Sequence, residues 1–406
     1  MRISFTSNHL AGAGAEGLLR IGIAIEDTAA GQTRWDEVWF SVPADFHSHN
    51  DSVAAALLTL AGEQFDRVGF NFPISAACAA RLGRFYGLRE IGPVDPALEP
   101  RRPGRRVAML FSGGSDSSAL WLLLRRALGG DFLTITNDYS GFFAYEAAGR
   151  TQIIADVTCR TNLRERRWDR YGRFNFAVPL LYADYLDLAG VAPGHTIGHH
   201  ADTYLGSLCL GNPAQWTRLD EVLNAGGLEE YHALRPLTTI GVSRILMQDG
   251  QHLIEGALAA SERPGNPKRY TKEAVFQAMF QAAGLPLPPY LRDIGSISAR
   301  HQLGTNADRD HRVLFLLKHG YRGEAGRITF RLDRHDLRPL DGLAQTYLER
   351  YSTPIVDLLP LSLRSPVVAA LHTYGIVPYD EQDWREIDIV LGVLQRAATQ
   401  TWARRA

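Results

Sequence analysis

Val107-Ala-Met-Leu-Phe-Ser-Gly-Gly-Ser-Asp-Ser-Ser-Ala-Leu120 decides how this chain is read. It opens with an apolar run short enough for a buried strand and passes through Ser112-Gly-Gly-Ser-Asp-Ser117. It continues as Ala119-Leu-Trp-Leu-Leu-Leu-Arg-Arg126, which has helical character. Strand, small-residue loop, helix is how an α/β fold presents backbone N–H groups to an anion. Gly113 and Gly114 tolerate φ > 0 and let a phosphate approach the backbone with no Cβ in the way. The hydroxyls of Ser112, Ser115, Ser117 and Ser118 are candidate donors to phosphate oxygens. Asp116 is out of place in a phosphate cradle unless a divalent cation is held beside it, which makes it a candidate metal ligand. The bland alternative is a serine-rich turn between a core strand and a helix. The loop is neither a Walker A sequence nor a GxGxxG fingerprint: the Gly-Lys-Ser/Thr ending is missing and no lysine lies near it in sequence.

The rest of the chain is ordinary in bulk. With 406 residues, 45% hydrophobic and 21% charged, it is long enough for roughly two or three domains with ample core. A net charge of −1 gives no global pull towards nucleic acid or acidic membrane. Of the 43 basic residues only Lys268, Lys272 and Lys318 are lysines, which reads as genome base composition before function. There is no apolar run of bilayer length and no signal-peptide layout at Met1–Asn8, so the expectation is a cytoplasmic protein with no membrane partner. Cys78, Cys159 and Cys209 are isolated, as reduced core thiols are, and no CxxC pair exists from which to build a four-cysteine zinc site.

Patterning divides the chain into three parts. Residues 1–100 read as an N-terminal α+β domain, with strands at Arg20–Ile25, Glu37–Val42 and Arg67–Phe72. Helices are expected at Ser52–Ala61, capped by Asn50 or Asp51, and at Ser75–Gly87. His47 and His49 are either metal ligands on one side of a strand or exposed loop groups, with the second reading preferred. Pro93–Arg106, with four prolines, reads as a linker whose Arg101, Arg102, Arg105 and Arg106 are either solvated, the preferred reading, or face an RNA phosphate or a substrate carboxylate. Residues 105–255 carry a βαβαβ rhythm: Asp131–Thr136 and Gln152–Thr158 as strands, Tyr145–Arg150 and Phe176–Ala189 as helices, and Gly194–Gly198 as a short strand. That rhythm means a doubly wound parallel sheet, with ligands outside the carboxyl ends of its strands, and it brings Asp138 and Tyr139 to that edge. Asn162–Asn175 holds five arginines with Trp168 and Tyr171 between them, either a nucleic-acid surface or a loop over the site. Residues 256–406 are mostly helical by pattern, including Thr271–Ala283, Asp308–His319, Pro339–Tyr351 and Trp384–Ala403.

Ser112–Ser117 resembles the pyrophosphate-binding SGGxDS loop of the N-type ATP pyrophosphatases, the PP-loop superfamily, at all five fixed positions. Gly198-His199-His200-Ala-Asp202 is similar to the second element of that superfamily, with Thr203 in place of a second Asp. Gly172-Arg-Phe-Asn175, Asn212-Pro213 and Arg235-Pro-Leu237 resemble the later layout of 7-cyano-7-deazaguanine synthases, so the likeness covers residues 105 to 250. The chain departs from those enzymes in lacking their zinc cysteines.

The resemblance implies ATP and Mg²⁺ as cofactors, with no zinc. The amides of Gly113 to Ser117 and the serine hydroxyls would hold phosphates, Asp138, Tyr139, Gly198 and Asp202 would contact nucleotide, and Asp116 and Asp202 would position Mg²⁺. Asp116, Ser117, His199 and His200 are the catalytic candidates, the histidines as general base. The activity implied is an adenylating ligase that cleaves ATP to AMP and pyrophosphate and passes an activated carboxylate or amide to an amine or ammonia. The acceptor would be a small molecule or protein-borne, in a homo-oligomer or a complex with a partner protein. Relatives of this kind in anti-phage operons add a defence role to what the resemblance implies. The alternatives are an amide synthetase of the asparagine-synthetase type, a tRNA-modifying enzyme, or a subunit that binds nucleotide without turnover.

Overall fold

The computed structural model describes residues 1–27, 30–139, 141, 144–170, 174–198, 220–295, 303–304, 306–320 and 337–403. The architecture is mixed α/β, with a five-stranded parallel sheet and many helices. A second five-stranded sheet precedes it in the chain. It comprises β1 (Arg2–Ser7), β2 (Leu18–Asp27), β3 (Gln32–Ser41), β4 (Arg67–Ser75) and β5 (Glu90–Asp95), in the order β3-β2-β1-β4-β5. The first three strands are antiparallel neighbours, and β1, β4 and β5 pair in parallel. Alternation in β1 sends Ile3, Phe5 and Ser7 inward.

The helix Asn50–Ala61 is buried along nearly its whole length, as its all-round Ala/Leu composition requires. It packs on β4 on one side and on the turns at Phe174–Leu181 on the other, and so couples the two sheets. Its cap differs from the expected Asn50 or Asp51: the Nδ1 of His49 accepts the Asp51 amide at 3.2 Å. Asp51 is instead fully buried and binds the amide and hydroxyl of Ser75 at 2.8 and 2.6 Å, where the next helix, Ala76–Tyr86, begins. His47 is exposed, so this pair serves a loop and a cap.

The parallel sheet comprises β6 (Arg106–Leu110), β7 (Leu133–Asp138), β8 (Val157–Arg160), β9 (Leu188–Ala192) and β10 (Glu229–Glu230). Its order is β10-β9-β6-β7-β8 and every pairing is parallel. The chain lays down β6, builds outward through β7 and β8, then returns to the other side of β6 for β9. The direction of growth therefore reverses between β6 and β9, and in open α/β sheets ligands bind outside the carboxyl ends of the strands at such a reversal. One apolar core runs from the N-terminal sheet to residues of β6, β7, β8 and β9. A second lies under the helix Ser115–Leu128, and a third joins the C-terminal helices Pro267–Ala282, Ala307–Lys318 and Glu381–Ala403.

Several local expectations are corrected. Phe176–Ala189 is not one helix. Ala177–Leu181 is a single turn, and Asp187 adopts φ +54° to close a turn in which the Leu188 amide returns to the Ala183 carbonyl at 2.8 Å. The strand follows at once as Leu188–Ala192, so Gly194–Gly198 is the segment leaving β9 and not a strand. A short apolar run reads equally well as helix or strand, which is where the expectation failed. Gln152–Thr158 shortens to a strand at Val157, leaving Ile154 exposed. Pro339–Tyr351 breaks into two short 3₁₀ turns around Gly342 and Gln345, both at positive φ.

The presumed linker is also more structured than its prolines suggest. Pro93 sits in the edge strand β5, where a missing N–H costs no ladder bond. Arg101 is buried, and its guanidinium donates to the carbonyls of Gly227, Ala183 (2.6 Å) and Leu188 (2.9 Å). Asn162–Asn175 is a seam between the sheets in its described part. Asn162 accepts the Trp39 amide at 2.9 Å, and the indole of Trp168 donates to Asp36 at 2.9 Å.

Candidate functional site

The loop after β6 lies at this reversal, at the carboxyl end of β6. Phe111 continues the sheet through its amide to the Ile135 carbonyl at 2.8 Å. Gly113 then turns at φ +84°, Gly114 caps in extended conformation, and the helix runs from Ser115 to Leu128. Gly113 is required twice over. Its φ is left-handed, and a Cβ there would stand 3.0 Å from the Arg150 amide and the Glu146 carbonyl. Gly149 answers it from the other side, since a Cβ on Gly149 would strike the backbone of Gly113. Over Gly114 there is room: a Cβ would meet nothing nearer than 3.7 Å.

The serines divide by role. Ser117 folds the loop internally, donating to the Gly114 carbonyl at 3.0 Å and accepting from the Ser112 amide at 3.3 Å, with the Ser112 hydroxyl also 3.3 Å away. Ser118 is buried, and its amide returns to the Gly114 carbonyl at 2.9 Å. Ser115 is also buried, but its hydroxyl accepts from a side chain 157 positions away in sequence, the ammonium of Lys272 at 2.6 Å.

Lys272 was invisible to the sequence reading, which found no lysine near the loop. It comes from the helix Pro267–Ala282, is buried, and also donates to the Asp116 carboxylate at 3.0 Å. Burial pushes the ammonium down from its ordinary value, and Asp116 opposes that. Arg312, from the helix Ala307–Lys318, is buried next to it, donating to the hydroxyls of Thr271 (3.1 Å) and Thr239 (3.4 Å). Its guanidinium is lowered by burial and supported by Asp308 and Asp116. The available signal was the scarcity of lysine: two of the three lie one turn apart on one helix.

The segment leaving β9 closes the other wall. A Cβ on Gly194 would be 3.2 Å from the Ser117 amide, so this backbone runs against the loop. Thr196 donates to Asp308 at 2.9 Å, and Gly198 presses on the same aspartate. Behind it Arg235 donates to Glu230 at 3.0 Å and to the Nδ1 of His195 at 3.2 Å, with His232 3.7 Å from Glu230. Burial alone would raise the Glu230 carboxyl, but Arg235 first, then His232 and His195, hold it well below the usual range. This buried cluster at the ends of β9 and β10 had no motif to announce it. His199, His200 and Asp202 lie outside the described residues.

At the end of β7, Asp138 is half-buried and its carbonyl accepts the Thr161 amide at 2.8 Å. Tyr139 is buried, donating to Asn175 and accepting from Asn137, each at 3.0 Å. The guanidinium of Arg164 lies 4.3 Å over its ring, so this arginine of the basic segment is spent on the site wall. Burial raises the Tyr139 hydroxyl strongly. Glu146, whose carbonyl touches Gly113, is raised by burial against the pull of Arg164, Arg150 and Lys268.

Chemically, this end of the sheet brings together a helix N-terminus, backbone amides over a glycine turn, a serine hydroxyl and two buried cations. That set suits a polyphosphate. Among the described residues no group of three or more His, Cys, Asp or Glu could hold a metal ion. One carboxylate beside a phosphate cradle is nevertheless a donor set that suits Mg²⁺, which is commonly held by one or two carboxylates plus phosphate oxygens and water. Comparison with family models, curated proteins and solved structures returned no match to the chain. Among the described residues no helix is long and apolar enough to cross a membrane.

Proposed function

We propose that the chain is an ATP-dependent adenylating ligase of the PP-loop type, built on a doubly wound sheet. The observation that carries this is the Ser112–Ser117 loop at the β6/β9 reversal, with its helix N-terminus and Lys272 converging on one point. The β and γ phosphates sit on the amides of Gly113 to Ser117, with Lys272 and Arg312 behind them. The adenosine half lies towards Asp138 and Tyr139.

A substrate carboxylate or amide oxygen forms a bond to the α phosphorus as the bond to the bridging α–β oxygen breaks, and pyrophosphate leaves with that electron pair. An amine or ammonia then attacks the activated carbon, and AMP departs. Fixed amides and cations aimed at the leaving group supply the stabilisation, since they need no reorganisation as its charge develops. Mg²⁺, held through Asp116, would neutralise charge on the departing pyrophosphate.

The test is product analysis with α-labelled ATP and Mg²⁺, adding deazaguanine carboxylate, tRNA and partner proteins in turn. Acceptor-dependent AMP and pyrophosphate, lost in Asp116→Ala, is the expected result. ADP and phosphate would sink α–β cleavage, and binding with no turnover under every acceptor would leave a nucleotide-binding subunit.

A further inference from the structure

Lys272 holds the two groups that an incoming Mg²⁺–nucleotide needs. Its ammonium is bound to the Ser115 hydroxyl, at the first residue of the loop helix, and to the Asp116 carboxylate. Neither contact is a surface accident, since the lysine side chain is 6% exposed and that of Asp116 19%. Arg312 stands next to it, donating to two threonine hydroxyls, with Asp308, Asp116 and Asp310 supporting its charge. Over Gly114 an added Cβ would meet only the Ser112 and Ser261 hydroxyls, each at 3.7 Å.

We propose that Lys272 is a hand-over cation. Without nucleotide it neutralises Asp116; with nucleotide it moves to the β and γ phosphates and releases Asp116 towards the metal. The helix Pro267–Ala282 thereby becomes the element of the fold that responds to nucleotide. This rests on the reading of the loop as a nucleotide-phosphate site, and it goes beyond the resemblance, which ends near residue 250.

The exchange is physically economical. A buried ammonium stripped of its carboxylate is strongly unfavourable, and so is a buried carboxylate stripped of its cation. Swapping one pairing for two, lysine on phosphate and aspartate on metal, leaves no charge unmatched. The flexible four-carbon stem of lysine permits the move, whereas the planar fork of arginine is suited to staying put. That distinction matches the two residues: Arg312 is anchored by two hydroxyls, and Lys272 grips only the atoms it must release.

The experiment uses the full chain, Mg²⁺ with α,β-methylene-ATP, which cannot be cleaved at that bond, and AMP as a second probe. Affinities are measured by calorimetry for wild type, Lys272→Met and Lys272→Arg. Lys272→Met should weaken the ATP analogue at least about ten-fold while AMP, which lacks the β and γ phosphates, changes by less than about two-fold. Lys272→Arg, which keeps the charge on a less mobile fork, should recover only part of the loss in analogue affinity. In wild type the analogue, and not AMP, should change hydrogen exchange across residues 267–275. Unchanged analogue affinity in Lys272→Met would overturn the hand-over and leave the loop reading intact. Equal losses for analogue and AMP would also overturn it, as a structural effect. Failure of wild type to bind either ligand would remove the loop reading itself, and the proposal with it.

Discussion

Gly113→Ala separates a glycine needed for its backbone angle from one needed for close approach, because the same helix supplies the control. Gly129 caps the far end of Ser115–Leu128 at φ +63°, and a Cβ there meets nothing within 4 Å. Gly129→Ala should therefore cost only the left-handed penalty, about 1–2 kcal/mol. Gly113→Ala carries the same kind of penalty at φ +84° and adds a methyl 3.0 Å from the Arg150 amide, the Glu146 carbonyl and the Gly149 carbonyl carbon. All three are backbone atoms, so none can swing aside. Overpacking of that kind typically adds about 1–3 kcal/mol. Urea denaturation should then show Gly113→Ala roughly 1–3 kcal/mol less stable than Gly129→Ala, both with unchanged m-values. Calorimetry with α,β-methylene-ATP should show Gly129→Ala binding like wild type and Gly113→Ala losing affinity, since relief of the clash moves the loop amides. Equal stability of the two variants would refute the close-approach argument. Wild-type nucleotide affinity in Gly113→Ala would refute the placement of phosphate on this loop.

Three further outcomes follow from buried charge. Arg101→Met takes the guanidinium from three buried carbonyls, of which Ala183 keeps the Leu188 amide, Leu188 keeps the Gly104 amide and Gly227 loses its donor, and should cost roughly 1–3 kcal/mol in urea, whereas Arg105→Ala, which loses a surface pair with Asp187, should leave the melting temperature unchanged. Arg235→Met strands Glu230 in the core and should destabilise by roughly 3–5 kcal/mol; adding Glu230→Gln should recover part of it, and additive losses in that double-mutant cycle would refute the pairing. His311 is pushed by burial from 6.5 to about 4, and neither ring nitrogen has a hydrogen-bond partner among the described residues. The unfolded chain takes up a proton on it below pH 6.5 while the native state does so only near pH 4, so stability must fall as pH drops through that window. The loss approaches roughly 3 kcal/mol at its limit, and His311→Leu should flatten the acid limb of a stability–pH curve by that amount.

What the sequence made legible was local. The β6–loop–helix unit reads correctly because the strand run, the turn glycines and the helical run sit side by side, each with its own periodicity. The helices read as Thr271–Ala283 and Asp308–His319 were legible for the same reason, although the first begins a turn earlier, at Pro267, behind an Asn266 cap that the pattern did not reveal. What failed was any element whose identity depends on a distant partner. Leu188–Ala192 is a strand only because β6 is beside it, and five apolar residues carry no period of their own. Arg101 looked solvated because its neighbours are prolines and charges, and the three carbonyls that bury it lie at least 82 positions away.

The same limit governs the candidate site, and there it has a functional consequence. The loop residues found from sequence supply amides and an acid, but an anion site also needs cations, and none is local. They arrive from residues 272 and 312, on two helices that the apolar residues of a separate core bind to one another. On the proposed reading, the loop supplies the amides for a phosphate and the C-terminal helices set how firmly it is held. If Lys272 and Arg312 are the groups that convert a glycine turn into a polyphosphate site, substitutions in the helical core around Tyr270, Val275 and Phe315 should weaken nucleotide binding without touching the loop. Substitutions of equal stability cost in the N-terminal sheet, at Ile3 or Leu19, should not. That asymmetry is a measurable difference between a site that is read from one motif and a site that is built by the whole fold.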